Sequence, residues 1–78
     1  MIKELANHNG IRIIKEKLKE ELEELYDELE DNNEQCIDEE LADVLVVALQ
    51  YIYLQGKSDK IKNIMRYKIK RTKERMGI

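Results

Sequence analysis

Two short acidic clusters dominate the middle of this 78-residue chain. The first reads Glu20-Glu21-Leu22-Glu23-Glu24 and the second reads Glu40-Leu41-Ala42-Asp43, with a polar break between them. If both flanking segments are helices that rise about 1.5 Å per residue, the clusters lie at matching heights in an antiparallel hairpin. Carboxylates that converge in this way repel one another unless they are protonated or bridged by a cation. Oxygen ligands of this kind suit a hard ion such as Mg²⁺ or Mn²⁺.

Helical geometry favours four of these carboxylates as metal ligands. Glu21 borders the apolar stripe of its helix, and Glu24 lies one turn further along. Glu40 and Asp43 have the same i, i+3 spacing on the second helix. Glu20 lies nearer the outer face, which predicts a solvated position or one behind the ligands. The alternative is that these acids only solvate helix surfaces, but Asp43 has low helix propensity and immediately precedes the most apolar stretch.

The elements that must position these residues are predicted to be helices, in an all-α fold. Leu18, Leu22, Leu25 and Leu29 keep the spacing of one helical face. The whole chain is predicted to be a single domain of four segments: a short leading segment over 1–10 and helices over 11–31, 38–55 and 58–76. The leading segment is expected to form little more than one helical turn before Asn7-His8-Asn9-Gly10 ends it. Asp38 and Ser58 are the expected N-caps of the second and third helices, and Gly56 the stop between them.

The predicted hairpin and third helix do not make a complete core by themselves. A domain of 78 residues buries too little surface to be comfortably stable alone. Between Val44 and Leu54 only Gln50 is strongly polar, so this helix must be covered on more than one side. We therefore expect oligomerisation, as a homodimer or a homotetramer, to complete a helical bundle.

Charge and composition narrow the possible partners and the compartment. Residues 57–78 carry nine Lys or Arg against two acids, whereas residues 20–43 carry no Lys or Arg. A basic terminal helix is compatible with nucleic-acid binding, but the net charge of −3 and the lack of a nucleic-acid motif disfavour it. No segment predicts membrane insertion or a signal peptide. The single Cys36 excludes an intramolecular disulfide, and its half-buried loop position is expected to carry no chemistry; a reducing cytoplasm is the predicted compartment.

The two acidic clusters also resemble a known pair of motifs. Lys17-Leu18-Lys19-Glu20-Glu21-Leu22-Glu23-Glu24-Leu25, followed by Glu39-Glu40-Leu41-Ala42-Asp43-Val44-Leu45, is similar to the EExxE and ExxD motifs of MazG-like all-α nucleoside triphosphate pyrophosphohydrolases. The resemblance covers about Lys15 to Leu54, and the basic third helix is similar in character to the family's terminal helix. It implies Mg²⁺ binding by the same four residues, which are Glu21, Glu24, Glu40 and Asp43.

The resemblance further implies a reaction, in which an NTP or dNTP is cleaved between its α and β phosphates to give a nucleoside monophosphate and pyrophosphate. Glu20 or Glu24 would orient the attacking water or accept its proton. Lys68, Arg71 and Arg75 would clamp the phosphates, although a solvated basic face explains them equally well. The rival hypothesis is a non-catalytic helical interaction module, in which the apolar surfaces bind a partner and the carboxylates only solvate the helices.

Overall fold

The computed structural model describes residues 1–78 and contains three α-helices and no strand. The helices are α1 (Ile2–Asp31), α2 (Glu34–Leu54) and α3 (Ser58–Met76). The predicted all-α class is therefore confirmed. None of the three helices combines the length and the apolar character that crossing a bilayer requires.

Gly10 breaks α1 into a leading helix of about two turns and a long second part. Its φ of 77° and ψ of 161° are not helical, and glycine adopts this region without the steric penalty that a Cβ brings. The expectation of little more than one turn before a stop at Asn7-His8-Asn9-Gly10 is wrong in length, because Asn7, His8 and Asn9 are helical, whereas the break does fall at Gly10. Ala6 is fully buried in the leading helix. Ala6 belongs to the core cluster, and tertiary packing of this kind can override the modest helix propensities of Asn and His.

Two asparagines form the turn between α1 and α2. Asn32 ends α1 in the left-handed conformation, with φ 56° and ψ 32°, which Asn tolerates better than most residues. The Asn33 side chain then caps α2 by accepting a hydrogen bond from the Cys36 backbone N–H at 3.1 Å. Helix α2 consequently begins four residues before Asp38, and the predictions of Asp38 as its N-cap and of Cys36 in a loop are wrong. Cys36 lies half-buried in the first turn of α2.

The small core lies between α1 and α2, which form the antiparallel hairpin. Its buried apolar residues are Ala6, Ile14 and Val47, with Leu18, Tyr51, Tyr53 and Leu54 packed against them. One polar contact belongs to the same region: Asn9 Nδ2 donates to Gln50 Oε1 at 3.1 Å. Gln50 is 4% exposed, and its own amide donates to the Val46 carbonyl at 3.4 Å. This bond ties the leading helix to α2.

A capped turn separates α2 from α3. Gly56 has a φ of 62°, the Gly56 N–H donates to the Tyr53 carbonyl at 3.0 Å, and the Lys57 N–H donates to the Ile52 carbonyl at 3.2 Å. This pattern is a Schellman motif, with glycine at its left-handed position. Ser58 is not the cap of α3, because the first helical hydrogen bond runs from the Ile61 N–H to the Lys57 carbonyl, so Lys57 is the N-cap.

Helix α3 extends away from the hairpin. It contacts α2 near the turn and makes no contact with α1, and none of its residues is buried. The radius of gyration is 14.8 Å, against about 11.5 Å for a compact chain of this length. The accessible surface is 6546 Å², about 1,500 Å² more than a compact protein of this mass exposes. A single chain thus leaves much of its surface uncovered, and its oligomerisation stays a prediction.

Candidate functional site

Three carboxylates from the two hairpin helices converge at one place. Oxygens of Glu21, Glu24 and Glu40 all lie within 4.8 Å of one another. The turn explains the match: Glu24 lies eight residues before Asn32, and Glu40 lies seven residues after Asn33. Because both helices rise by the same amount per residue, Glu24 and Glu40 lie at the same height on the two helices of the hairpin.

Two oxygens of this cluster are buried without a hydrogen-bond partner. They are Glu21 Oε2 and Glu40 Oε1, and the Glu40 side chain is only 9% exposed. No lysine or arginine compensates these charges, since the one ion pair of the chain joins Lys19 to Glu16. Buried carboxylate oxygens without a donor are costly unless a proton or a cation satisfies them. The donor set, made of hard oxygens only, fits a divalent ion such as Mg²⁺ or Mn²⁺.

The same geometry favours a proton on Glu40 when no cation is bound. A protonated Glu40 donates a hydrogen bond to Glu21, which is the main reason that its pKa rises, to about 8. Burial and the negative charges of Glu21 and Glu24 raise this pKa further. A proton and a metal ion would occupy the same carboxylate oxygens, so they would compete for this position.

Asp43 and Glu20 stand outside this group of three. Both are exposed to solvent, as Glu20 was expected to be. Asp43 follows Glu40 by three residues, and Glu24 follows Glu21 by three. Each second residue is therefore rotated about its helix axis by about 60° from the first, in the same sense in both helices. In an antiparallel pair these two rotations lead to the same face of the hairpin. Asp43 therefore shares a face with Glu24, although its carboxylate is not among the converging ones.

The predicted phosphate-binding residues are not brought near the carboxylates. Lys68, Arg71 and Arg75 are all exposed on α3, which makes no contact with α1. Arg71 and Lys68 line two open depressions that run along α3 and are formed by the side chains of that helix alone. Within one chain, the acidic residues and the basic residues therefore lie on separate surfaces.

Two residues outside the carboxylate cluster were not recognised as a pair from the sequence. Asn9 and Gln50 are 41 residues apart and form the hydrogen bond that fixes the leading helix on α2. The available signal was Gln50 itself, as the only strongly polar residue between Val44 and Leu54. Cys36 carries no sign of reactivity, because burial, followed by the nearby Glu28, raises the pKa of its thiol.

Comparison with known proteins agrees with the acidic motifs. No curated protein and no solved structure was found to match the chain. The sequence model of the MazG nucleotide pyrophosphohydrolase domain matches residues 10–76, which include both acidic clusters and all of α3. This match spans 67 of the 78 residues, and the chain therefore belongs to the MazG nucleotide pyrophosphohydrolase domain family.

Proposed function

We propose that the protein hydrolyses nucleoside triphosphates, as NTPs or dNTPs, to a nucleoside monophosphate and pyrophosphate in a divalent-metal-dependent reaction. The observation that carries the proposal is the meeting of Glu21, Glu24 and Glu40 within 4.8 Å, with two buried oxygens that have no partner. Membership of the pyrophosphohydrolase family supports the same reaction.

Glu21, Glu24 and Glu40 would hold the metal ion, and we propose that Asp43 joins them. Asp43 lies one turn from Glu40 on the face that Glu24 occupies, which supports its inclusion among the ligands. When bound, Mg²⁺ or Mn²⁺ neutralises phosphate charge and lowers the pKa of a coordinated water. These carboxylates lie on two different helices, so metal binding would be coupled to folding of the hairpin.

A carboxylate at the edge of the cluster completes the proposed chemistry. Water attacks the α-phosphorus, the bond from that phosphorus to the bridging oxygen breaks, and pyrophosphate leaves with the electron pair. The proton released by the water passes to Glu24 or to Glu20. Glu24 is part of the cluster, whereas Glu20 is exposed on the same helix and has free oxygens to accept the proton.

Binding of the triphosphate requires positive charge, and we assign it to α3. Lys68, Arg71 and Arg75 follow one another at i, i+3 and i+7 and therefore lie along one side of the helix. Guanidinium groups bind phosphate oxygens in a bidentate manner, which suits Arg71 and Arg75 to a substrate with three phosphates.

The proposed enzyme is a homodimer or a homotetramer. Leu22 follows Glu21 by one residue and Leu41 follows Glu40 by one, so both turn to the face of the hairpin opposite the acidic one. Tyr26, Leu29 and Leu45 continue this apolar face, and Leu45 is 61% exposed. A second copy covers such a face without blocking the carboxylates. A cytoplasmic location fits both a nucleotide substrate and the free thiol of Cys36.

Identification of the products tests the proposal directly. Each NTP and dNTP is incubated with protein and Mg²⁺, and pyrophosphate, orthophosphate and nucleotides are quantified. We expect pyrophosphate and the monophosphate in equal amounts, none after chelation, and none with Glu40→Gln. Glu39→Gln is the matched control, because Glu39 is the adjacent but exposed glutamate. Orthophosphate as the only phosphate product would assign another reaction. Metal binding without any turnover would favour the helical interaction module.

A further inference from the structure

Helix α3 exposes one face that neither the hairpin nor the proposed reaction uses. None of the residues of α3 is buried, and the helix contacts α2 alone. The unused face consists of Met65, Ile69 and Met76 with the adjacent Lys62, Arg66 and Lys73. Its middle, Ile69, lies at least about 100° around the helix from each of the three proposed phosphate-binding cations. We propose that this face, the lipid face, binds the surface of a bilayer that contains anionic lipids. The helix lies on such a bilayer and does not cross it.

The apolar part of the lipid face is a row along the helix axis. Met65, Ile69 and Met76 lie within about 40° of one another on a helical wheel, and each is more than half exposed. Thr72 lies between Ile69 and Met76 along the helix. Its hydroxyl donates to the Lys68 carbonyl at 2.8 Å, so this polar group is already satisfied within the helix. The row is about 16 Å long and presents no charge.

The cations of the lipid face run beside this row. All three lie within about 60° of Ile69, and none of them forms an ion pair within the chain. The two acids of α3 lie further around the helix, with Asp59 about 80° and Glu74 about 140° from Ile69. An apolar row bordered by cations, with the acids turned away, is the pattern of helices that lie at the surface of anionic membranes.

An open depression of about 450 Å³ joins the apolar and the cationic parts of the lipid face. Its lining residues are Arg66, Ile69, Lys70, Lys73, Glu74 and Ile78. Gly77 has a φ of 73°, and the Ile78 N–H then donates to the Lys73 carbonyl at 3.0 Å, so the chain turns back after α3. Two apolar side chains beside three cations and one acid suit an acyl chain that ends in a phosphate headgroup.

The chemistry of the lipid face favours a bilayer over other occupants. The α3 helix of a second copy would bring its own cations against these, and the two would repel each other. The phosphates of a nucleic acid would meet the apolar row, where they find no donor. Protein grooves bind large aromatic anchors most strongly, and this chain contains no Trp or Phe. The proposed assembly covers the apolar face of the hairpin and leaves the lipid face of α3 open.

Sedimentation with vesicles tests the proposal on the full chain. The vesicles contain phosphatidylcholine, either alone or with about one third phosphatidylglycerol, in low salt and with a chelator. We expect binding to the anionic vesicles to be at least about tenfold stronger than to the neutral ones and to be lost in high salt. Equal binding to both kinds of vesicle, or binding to neither, would overturn the inference.

Two matched pairs of variants locate the contact. Ile69→Gln changes a residue that is 57% exposed, and Tyr67→Gln changes one that is 62% exposed but lies about 160° away. Lys73→Glu and Lys60→Glu make the same change of charge, but Lys60 lies on the side of α3 opposite Ile69. We expect Ile69→Gln and Lys73→Glu each to weaken vesicle binding at least about fivefold, and their controls much less. Equal effects within either pair, at equal helical content, would overturn the inference.

The lack of tryptophan allows insertion to be measured directly. Because the chain contains no Trp, Ile69→Trp and Tyr67→Trp each add a single fluorophore. We expect anionic vesicles to shift the emission of Ile69→Trp to shorter wavelength, and lipids brominated in their acyl chains to quench it. The emission of Tyr67→Trp should not change. An Ile69→Trp variant that sediments with vesicles but shows neither effect would overturn the placement of the apolar row in the bilayer.

Other occupants of the lipid face give different results. A single-stranded oligonucleotide that binds more tightly than anionic vesicles, equally to the wild type and to Ile69→Gln, would assign the face to nucleic acid. Dissociation of the assembly by Ile69→Gln in the absence of vesicles would assign it to a second copy. Either result would overturn the inference. Turnover of Ile69→Gln should equal that of the wild type, so failure of lipid binding and failure of the proposed reaction are distinguishable.

Discussion

Glu21 and Glu40 meet across the hairpin, and each has one buried carboxylate oxygen that no donor satisfies. Two carboxylates on different helices cannot both stay ionised at this distance without cost. The facing carboxylates of Glu21 and Glu40 would be stabilised either by a proton on Glu40 or by a cation bound between the two helices. The contact between Glu21 and Glu40 is therefore expected to affect the stability of the fold, its pH dependence and metal binding.

Divalent metal should stabilise the fold, and Glu40→Gln should remove this effect. A ligand that binds only the folded state at a hundred times its Kd adds about 2.7 kcal/mol, and each kcal/mol raises the Tm of a domain this size by about 4–8 °C. We expect the Tm of the wild type to rise by more than 10 °C with Mg²⁺ or Mn²⁺. Asp43→Asn should lose most of the increment with unchanged helical content. If the metal raises the Tm of the wild type and of Asp43→Asn by the same amount, Asp43 is not a ligand. Glu39→Gln is the control and should behave as the wild type.

Without metal, stability should fall as the pH rises from about 4.5 to about 8. The pKa of Glu40 is raised from its ordinary value of 4.5 to about 8, so the folded state holds the proton more tightly than the unfolded chain. The stabilisation is complete below about pH 4.5 and is lost above the folded pKa. Urea midpoints in the presence of a chelator, measured at intervals from about pH 5 to about pH 9, test this. Glu40→Gln should make the stability less dependent on pH. A wild type that is more stable above pH 8 than below it would contradict the prediction.

The chain should be a homodimer or larger at micromolar concentration. Only three apolar residues are buried in a single chain, while sixteen large apolar side chains are exposed. Leu45→Gln should shift the assembly toward monomer in sedimentation experiments, because Leu45 lies on the apolar face opposite the carboxylates. Glu39→Gln, on the same helix, should not. A wild-type monomer whose stability is independent of dilution would contradict the assembly.

Substitution of a carboxylate and substitution of a phosphate-binding cation should have different kinetic effects. Glu24→Gln should lower kcat by at least a hundredfold with a small change in KM, because it disturbs the carboxylates that act in the transition state. Arg71→Ala should mainly raise KM, because it removes phosphate binding that ground state and transition state share. Steady-state kinetics with the preferred nucleotide distinguish them. Lys62→Ala, which removes an exposed cation elsewhere on α3, is the control.

Loss of the Asn9 amide should destabilise the fold without changing the carboxylates. Asn9→Ala leaves the buried Gln50 Oε1 without its donor, which costs about 1–3 kcal/mol and lowers the Tm by at least about 4 °C. Thermal unfolding measures this loss. His8→Ala, at the exposed neighbouring position, should change the Tm by much less. Identical Tm values for both variants would show that the bond is not structural.

The sequence by itself determined the all-helical character of the chain, the apolar stripe and the acidic face, because these are periodic and local properties. Leu18 to Leu29 mark one helical face at any stage of folding, and the i, i+3 spacing of Glu40 and Asp43 sets them one turn apart whatever surrounds them. The stop at Gly56 is local in the same way, since glycine alone adopts a positive φ freely.

Only the tertiary structure decided how the two helices are rotated and where they turn. Asn33 and Asp38 are both good caps, and the choice of Asn33 depends on the left-handed Asn32 that precedes it. The burial of Glu40 and the exposure of Asp43 depend on the rotation of α2 against α1, which the shared core of Ile14 and Val47 sets. The separation of α3 from α1 is visible only in the structure, because helical periodicity does not specify the direction in which the chain leaves the turn at Gly56.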